Sequence, residues 1–152
     1  MQNSINTKTN LSEQEEEVCV DIFKNITRLR HLLHQMASEI AAQSGLHIAE
    51  MNVIDILGKY GPVSMGRLSR ETFISPSNTT STVKKLEDVA LVTRRRSTKS
   101  DREVTVELTR SGKALFRKCY PQILGRAQAL LSDRLTGAES RKLATILNKL
   151  VT

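Results

Sequence analysis

Aromatic side chains are scarce in this sequence, and tryptophan is absent. Phenylalanine and tyrosine together make up 3% of the 152 residues. Proteins that hold single-stranded nucleic acid without sequence preference stack its bases on aromatic rings. The shortage of rings therefore argues against single-stranded DNA or RNA as the partner.

Cysteine is nearly absent as well, and the sequence contains only Cys19 and Cys119. Two cysteines do not form a disulfide framework, and no export signal is visible, so we expect both thiols to stay reduced. We interpret both as packing residues, and the sequence leaves a redox role for either one open. No stretch is long and apolar enough to span a membrane.

Arrangements typical of catalysis and of metal binding are also missing from the sequence. No Ser-His-Asp arrangement, glycine-rich phosphate loop or cluster of metal ligands stands out. The carboxylates concentrate in an acidic run between Glu13 and Asp21. We therefore predict that the protein is not an enzyme and has no cofactor, and that its three histidines hold no metal.

Outside the acidic run, basic residues predominate. The formal net charge is +7, of which residues 1–21 contribute −4 and the remaining 131 residues +11. A length of 152 residues suits one domain with a sizeable core. Because the basic excess belongs to the folded body, it favours a polyanionic partner. Charge alone does not identify that polyanion.

The most informative segment present is SPSNTTSTVKKLEDVALV, at residues 75–92. Ser75 is a suitable N-cap and Pro76 fits the first position of a helix. The spacing of three and four residues predicts a buried stripe made of Thr79, Thr82, Val83 and Leu86. The opposite face is polar and comprises Ser77, Asn78, Thr80, Ser81, Lys84 and Lys85. Short polar side chains can reach base edges in a major groove, whereas lysines mostly meet phosphates. The alternative is an ordinary solvated surface helix.

A basic hairpin is predicted directly after this helix. Its cationic residues are Arg94, Arg95, Arg96, Lys99 and Arg102. Val104, Val106 and Leu108 alternate with polar residues, which indicates a half-buried second strand. An arginine near the tip of such a wing can enter a minor groove. The alternative is a charged edge that prevents pairing between molecules, and the neighbouring polar helix favours DNA binding.

Helices are predicted for most of the remaining chain, after a loose segment at residues 1–11. The first is expected at about residues 12–43, with Ser12 and Glu15 as a capping box and Gly45 after its end. A second helix is expected at about 48–59, and a short third one capped by Ser64 precedes the polar helix. The third helix and the polar helix would form a helix-turn-helix. Thr109 is expected to cap a helix at about 110–132, which Pro121 should kink or divide, and a last helix follows Gly137.

These elements predict a mainly α protein with a small β-hairpin wing. Residues 46–109 would form a winged helix-turn-helix, and residues 12–45 and 110–152 a helical dimerisation region. The outer helices carry more apolar surface than one small winged domain needs, which favours a homodimer over a larger monomeric core. A dimer would place two recognition helices roughly 34 Å apart on a palindromic site.

The chain resembles the MarR (multiple antibiotic resistance regulator) family of bacterial winged-helix transcription factors. Three segments carry the resemblance: GLHIAEMNVIDILGKYGPVSMGRLSRE, SPSNTTSTVKKLEDVALVTRRR and DREVTVELTRSGKALF. It covers about residues 12–151 and implies an obligate dimer, cytoplasmic residence, and repression relieved by a small ligand, often an aromatic acid. It also implies that Ser77, Asn78, Thr80 and Ser81 face bases, that Lys84 and Lys85 meet phosphates, and that Arg102 enters the minor groove.

Two positions depart from the family pattern. The acidic residue of the usual Asp-x-Arg at the wing tip stands one place late, because the chain reads Ser100, Asp101, Arg102 there. Family members also often have glycine where Ala90 stands, so we expect a slightly different turn after the recognition helix.

The effector is predicted to be a small organic molecule. Cys19 lies too early for the peroxide-sensing branch of the family, and no histidine occurs between Thr109 and Asp133, as the zinc-sensing branch would require. The candidate ligand residues lie by prediction in a crevice between the dimer helices and the winged domain, and they are Arg28, Arg30, His31, His34, Met36 and Met51. Of these, the two arginines and the two histidines would give a cationic edge for a carboxylate. The alternative is that Met36, Met51 and their neighbours simply fill this crevice. An alternative function for the whole chain is a winged-helix module that binds an acidic protein or structured RNA.

Overall fold

The structure, a computed structural model, describes residues 12–72, 74–97 and 100–151, with only the backbone at 96, 97 and 100–103. The helices are α1 (Glu13–Gln43), α2 (Ile48–Tyr60), α3 (Met65–Thr72), α4 (Pro76–Asp88), α5 (Arg110–Ser132) and α6 (Gly137–Val151). The strands are β1 (Val63–Ser64), β2 (Val92–Ser97) and β3 (Ser100–Leu108). The mainly helical fold with a small wing is thus confirmed, while the predicted loose segment at residues 1–11 lies outside the described residues.

The N-terminal unit of the described chain, residues 12–34, is the first part of α1. Its start confirms the predicted capping box, since the Ser12 N–H donates to the Glu15 carboxylate at 2.9 Å and the Glu15 N–H donates to the Ser12 hydroxyl at 3.4 Å. Its large apolar side chains are exposed, among them Val18, Val20, Ile22, Phe23, Ile26, Leu32 and Leu33. Cys19 is exposed too, so its interpretation as a packing residue is wrong for the single chain.

The second unit, residues 35–151, contains the winged-helix core. Its buried residues are Val53, Ile54, Leu57, Val63, Leu68, Val83, Leu86, Val92, Val106 and Leu108. Helices α2, α3 and α4 and all three strands contribute to this cluster. The hydrophobic effect therefore holds the polar helix α4 and the wing on one shared core.

The sheet has the strand order β1-β3-β2, and both pairings are antiparallel. Val106 of β3 lies between Val63 of β1 and Arg94 of β2. The sequence predicted only the two long strands, because a two-residue strand is too short to show an alternating pattern. Ser64 also caps α3 as predicted, since its hydroxyl accepts the Arg67 N–H at 3.3 Å.

A smaller buried cluster joins the end of α1 to α2 and α5, and it consists of Ile40, Ala41, Met51 and Cys119. Cys119 is 1% exposed, and its sulfur lies 3.3 Å from the Ser44 hydroxyl oxygen. The interpretation of Cys119 as a packing residue is therefore confirmed. Its burial makes the thiol inaccessible to reagents in this conformation.

Helix α5 continues through Pro121 from Arg110 to Ser132, so Pro121 does not divide the helix, and the kink that was the other predicted outcome stays a prediction. A proline removes one backbone donor, and the other hydrogen bonds of a 23-residue helix remain. Helix α6 begins with a capping box that the sequence analysis missed. The Thr136 N–H donates to the Glu139 carboxylate at 2.8 Å, and the Glu139 N–H donates to the Thr136 hydroxyl at 3.3 Å.

Candidate nucleic-acid interface

Helix α4 begins where the sequence predicted. The Ser75 hydroxyl accepts the Asn78 N–H at 3.3 Å, and Pro76 occupies the first turn. The four residues of the predicted inward stripe, Thr79, Thr82, Val83 and Leu86, are all buried. Burial of this stripe fixes which side of α4 faces outward.

The outward face of α4 presents all six predicted residues, since Ser77, Asn78, Thr80, Ser81, Lys84 and Lys85 are exposed. The Thr80 hydroxyl donates to the Pro76 carbonyl oxygen at 2.9 Å, and the Ser81 hydroxyl donates to the Asn78 carbonyl oxygen at 2.9 Å. A hydroxyl that donates its proton in this way keeps lone pairs that can accept a donor. This face can therefore offer acceptors, an amide and two cations to a ligand.

The turn between α3 and α4 is held by hydroxyl groups. The Ser69 hydroxyl donates to the Ile74 carbonyl oxygen at 2.6 Å, and the Thr79 hydroxyl donates to the Ser75 carbonyl oxygen at 3.0 Å. Phe73, which stands between the third and fourth helices in the sequence, lies outside the described residues. The bonds fix α3 against the start of α4, as expected for a helix-turn-helix.

Helix α3 contributes a cation that the sequence analysis missed. Arg70 is exposed and lines a groove of about 330 Å³ between α3 and α4 together with Ser69, Pro76 and Thr80. A guanidinium at this place lies beside the first turn of α4, where free backbone N–H groups also attract anions. Its position next to the polar residues of α4 was not evident from sequence spacing, because it depends on how the two helices cross.

Helix α4 ends in a Schellman turn at Ala90. The Leu91 N–H donates to the Leu86 carbonyl oxygen and the Ala90 N–H to the Glu87 carbonyl oxygen, each at 2.9 Å. The end of α1 has the same paired bonds around Gly45, whose φ is +71°. The two helices of this chain therefore end in the same kind of turn. At Ala90 the backbone is strained, because a residue with a Cβ atom adopts a φ of +55° there.

The Leu-Thr-x-x-Gly sequence at residues 108–112 anchors this turn to α5. The Thr109 hydroxyl donates to the Ala90 carbonyl oxygen at 2.7 Å and accepts the Gly112 N–H at 3.1 Å. A Cβ atom on Gly112 would lie 2.1 Å from the Leu91 carbonyl oxygen. The glycine therefore permits the close approach of α5 to the start of the wing.

Arg94 and Arg95 project to opposite sides of β2, as consecutive residues of a strand do. The Arg94 guanidinium donates to Glu87 of α4, and its side chain is 37% exposed. The hydrogen bonds from the Arg94 side chain lower the pKa of the Glu87 carboxyl group. The Arg95 side chain is 72% exposed, and its Nε lies 2.6 Å from a Glu107 oxygen. The sequence analysis missed both carboxylate partners, because they depend on the strand register and on the direction of α4.

The other predicted wing cations lie where the structure does not describe side chains. Arg96 belongs to β2 and Arg102 to β3, and Lys99 lies between the described parts of these strands. The role of Asp101 beside Arg102 falls outside the described side chains for the same reason. Their assignments as DNA-binding residues stay predictions.

The candidate ligand residues divide between the two units. In residues 12–34, Arg28, Arg30 and His31 line a groove of about 480 Å³ on α1, and His34 follows on the same helix. In residues 35–151, Met51 is 2% exposed and belongs to the smaller buried cluster, while Met36 is half-buried. The burial of Met51 agrees with the alternative interpretation of this residue as packing.

Two further features are absent from the described part of the chain. Among its helices, none has the length and apolar character that crossing a membrane requires. Among its side chains, no three of the types His, Cys, Asp and Glu are grouped so that they can hold a metal ion.

Comparison with known proteins identifies the family of this chain. The model of the MarR family matches residues 44–103, which run from just before α2 into β3. An uncharacterised HTH-type transcriptional regulator of Bacillus subtilis, YcgE, is 31% identical over 110 residues, which are 72% of this chain and 69% of YcgE. The HTH-type transcriptional repressor Rv2887 of Mycobacterium tuberculosis is 28% identical over 123 residues, which are 81% of this chain and 88% of Rv2887.

Solved structures share the fold at low sequence identity. NadR in complex with 4-hydroxyphenylacetate superposes with a TM-score of 0.75 at 22% identity, covering 85% of this chain and 91% of NadR. Reduced AbfR bound to DNA superposes with a TM-score of 0.69 at 18% identity, covering 93% of this chain and 96% of AbfR. The solved structures agree in fold, and the family model together with the 31% identity to YcgE establishes that the chain belongs to the MarR family of transcriptional regulators.

Proposed function

We propose that the protein is a homodimeric regulator that binds a palindromic operator in double-stranded DNA and represses transcription until a small organic ligand releases it. The observation that carries this proposal is the outward face of α4, where six polar and cationic side chains lie exposed beside a basic wing. Repression is supported by the relative Rv2887, which is named a transcriptional repressor. A regulator that acts on bacterial DNA works in the cytoplasm, so we propose that this protein is cytoplasmic.

The division of roles on this surface follows from side-chain length and charge. Ser77, Asn78, Thr80 and Ser81 would reach base edges in the major groove, and Lys84 and Lys85 would meet phosphates. Arg95 and the other wing cations, Arg96, Lys99 and Arg102, would meet the backbone or the adjacent minor groove. The DNA complex of AbfR, which shares the fold, supports duplex DNA as the partner.

Association into a dimer is supported by apolar surface that each unit leaves exposed. In residues 35–151, Leu124, Leu131, Leu147, Leu150 and Val151 of α5 and α6 are exposed. A groove of about 420 Å³ along these helices is lined by apolar residues that include Leu124, Ala127, Leu131 and Leu135. Each large apolar side chain that a second copy covers would stabilise the dimer by about 1.5–3 kcal/mol. In residues 12–34, the exposed apolar side chains of α1 give the same argument.

The effector is proposed to be a small aromatic carboxylate. Arg28, Arg30 and His31 line one groove of α1 and can provide the cationic edge that a carboxylate requires. NadR binds 4-hydroxyphenylacetate, a molecule of this class, and shares the fold of this chain. His34 is the next histidine on the same helix.

Gel-shift measurements against the DNA beside its own coding region, with a salt titration and a footprint, test the DNA proposal. We expect affinity to fall steeply as salt rises, and protection with two-fold symmetry over two half-sites roughly 34 Å apart. Equal affinity for structured RNA or for an acidic protein would instead support the alternative of a non-DNA module. A non-DNA module would explain the net charge but not the short polar residues on α4. The relatives YcgE and Rv2887 are transcriptional regulators, which argues against an enzyme.

Sedimentation equilibrium of the free protein tests the dimer, and a titration with 4-hydroxyphenylacetate and related acids tests the effector. A ligand that binds the free protein more tightly than the DNA complex must weaken operator affinity by the same coupling factor. No change in melting temperature or DNA affinity with any such acid would contradict the effector proposal while leaving DNA binding intact.

A further inference from the structure

Glu87 occupies the last turn of α4, yet its hydrogen bonds go to the wing. Its Oε1 accepts the backbone N–H of Arg94 at 3.1 Å, and its Oε2 accepts the Nε and an Nη of the same arginine at 2.8 and 2.5 Å. We infer that Glu87 is a positioning residue of the DNA interface, which holds β2 against the recognition helix and withholds the charge of Arg94 from DNA. This inference rests on the proposed function.

The geometry explains why Arg94 is a poor phosphate contact despite its place in an arginine run. The Nε and one Nη form one of the edges with which a guanidinium binds an oxyanion through two parallel bonds. In Arg94 both of these nitrogens already donate to the carboxylate of Glu87. A neutral pair also gains little from a phosphate, because the carboxylate repels the phosphate while the guanidinium attracts it.

The backbone bond gives Glu87 a second task. Arg94 of β2 pairs with Val106 of β3. The hydrogen bond from the Arg94 N–H to Glu87 therefore holds this part of the β2–β3 pair against α4. The chain between Glu87 and Arg94 contains the strained turn at Ala90. Glu87 therefore closes this turn from α4 to β2 and sets where the wing leaves the helix.

Arg95 provides the natural comparison on the same strand. Its side chain is 72% exposed, compared with 37% for Arg94, and its ion pair to Glu107 involves only the Nε. In an exposed ion pair of this kind another anion easily replaces the carboxylate, since the free energy of the pair is small in water. Arg95 therefore remains available for a phosphate, whereas Arg94 does not.

The test measures affinity for an operator duplex and for a random duplex between 50 and 300 mM salt, in Glu87→Gln, Arg94→Ala and Arg95→Ala proteins. The logarithmic salt slope reports the number of phosphates neutralised, so losing one contact lowers its magnitude by about one. We expect Arg95→Ala to lower the slope by about one. Arg94→Ala should weaken operator binding about tenfold at every salt concentration with an unchanged slope, because it loses the brace rather than a contact.

Glu87→Gln tests the charge alone, because glutamine keeps the shape and one acceptor oxygen while losing the negative charge. We expect the salt slope to steepen by about one and the ratio of operator to random affinity to fall, since the released guanidinium binds any phosphate. An unchanged slope in Glu87→Gln, or a shallower slope in Arg94→Ala that matches Arg95→Ala, would overturn the inference.

A second readout does not involve DNA. Melting temperatures of Glu87→Gln, Arg94→Ala and the double variant should be non-additive, because each single change removes the same bonds. Additive shifts would overturn the brace. If the wild-type protein gives a two-fold footprint and Arg94→Ala has a shallower slope, only this inference fails. Absence of duplex binding by the wild type overturns both this inference and the proposed function.

Discussion

Ala90 and Gly45 occupy equivalent positions in two copies of one backbone motif. Both follow the end of a helix, both have a positive φ, and the same pair of hydrogen bonds surrounds each. Glycine adopts this left-handed conformation freely, whereas a Cβ atom costs about 1–2 kcal/mol there. The chain therefore carries backbone strain at the junction between α4 and the wing, and none of this kind at Gly45.

Exchanging the two residue types should move stability in opposite directions. We expect Ala90→Gly to raise the free energy of unfolding by about 0.5–1 kcal/mol, because it relieves the strain at a slight cost in unfolded-state entropy. Gly45→Ala should lower it by about 1 kcal/mol through the backbone alone, since no atom lies within 4 Å of the added Cβ. Urea denaturation measures both, and a destabilised Ala90→Gly protein would contradict the assignment of strain.

Gly112 is required for space rather than for backbone conformation. An added Cβ would lie 2.1 Å from the Leu91 carbonyl oxygen and 3.1 Å from the Leu108 side chain. We expect Gly112→Ala to lower the free energy of unfolding by about 3 kcal/mol or more, because a backbone carbonyl cannot move aside cheaply. Gly66→Ala in α3 is the control, since its nearest atom is the tip of Arg70 at 3.9 Å. Equal stability of the two variants would contradict the close approach.

The Glu87 carboxyl group links stability to pH. Hydrogen bonds from Arg94 lower its folded-state pKa below the ordinary value of 4.5. A lowered pKa contributes stability that is fully present above the unfolded value and is lost as pH falls through the folded value. The difference in melting temperature between wild type and Glu87→Gln should therefore be constant from pH 7 to about 5.5 and shrink below pH 4.5. A difference that stays constant down to pH 3 would show that the Arg94 bonds do not govern this carboxyl group.

At the scale of elements, α4 was predictable because three independent signals agree. Ser75 and Pro76 mark its start, and the buried stripe from Thr79 to Leu86 keeps helical spacing. Strand β1 was not predictable, since its two residues reveal their role only by pairing with β3. The same limit applies to Glu87, Glu107 and Arg70, whose partners and neighbours are set by packing between elements rather than by spacing along one element.

Two kinds of residue on the interface should affect binding differently. Asn78→Ala and Ser81→Ala on α4 are expected to change which operator bases are preferred, at about 1–3 kcal/mol per lost base contact. Arg95→Ala on β2 should instead weaken all duplexes alike, and Arg102→Ala is expected to act in the same way. Selection from a randomised operator library measures preference and affinity together. The same uniform loss in both groups would contradict base recognition by α4.

For the whole molecule, the distribution of apolar surface decides more about association into a dimer than any single residue does. The winged-helix core buries its apolar side chains, while α6 has no buried residue and exposes Ile146, Leu147 and Leu150. A helix that gains so little from its own chain depends on a second surface for its stability. The proposed dimer supplies that surface, and its two α4 helices would bind the two half-sites of one palindromic operator.

Leu150→Lys tests this dependence, because Leu150 is 64% exposed in the single chain and its replacement costs the monomer little. A two-fold interface would lose the residue twice, so we expect the dissociation constant of the dimer to rise at least about 100-fold. Thr145→Lys is the control, since it places the same side chain about 140° away around α6. Sedimentation equilibrium measures association, and operator affinity should fall with it because one half-site is read alone. A Leu150→Lys protein that remains dimeric and binds the operator normally would contradict the proposed role of α6.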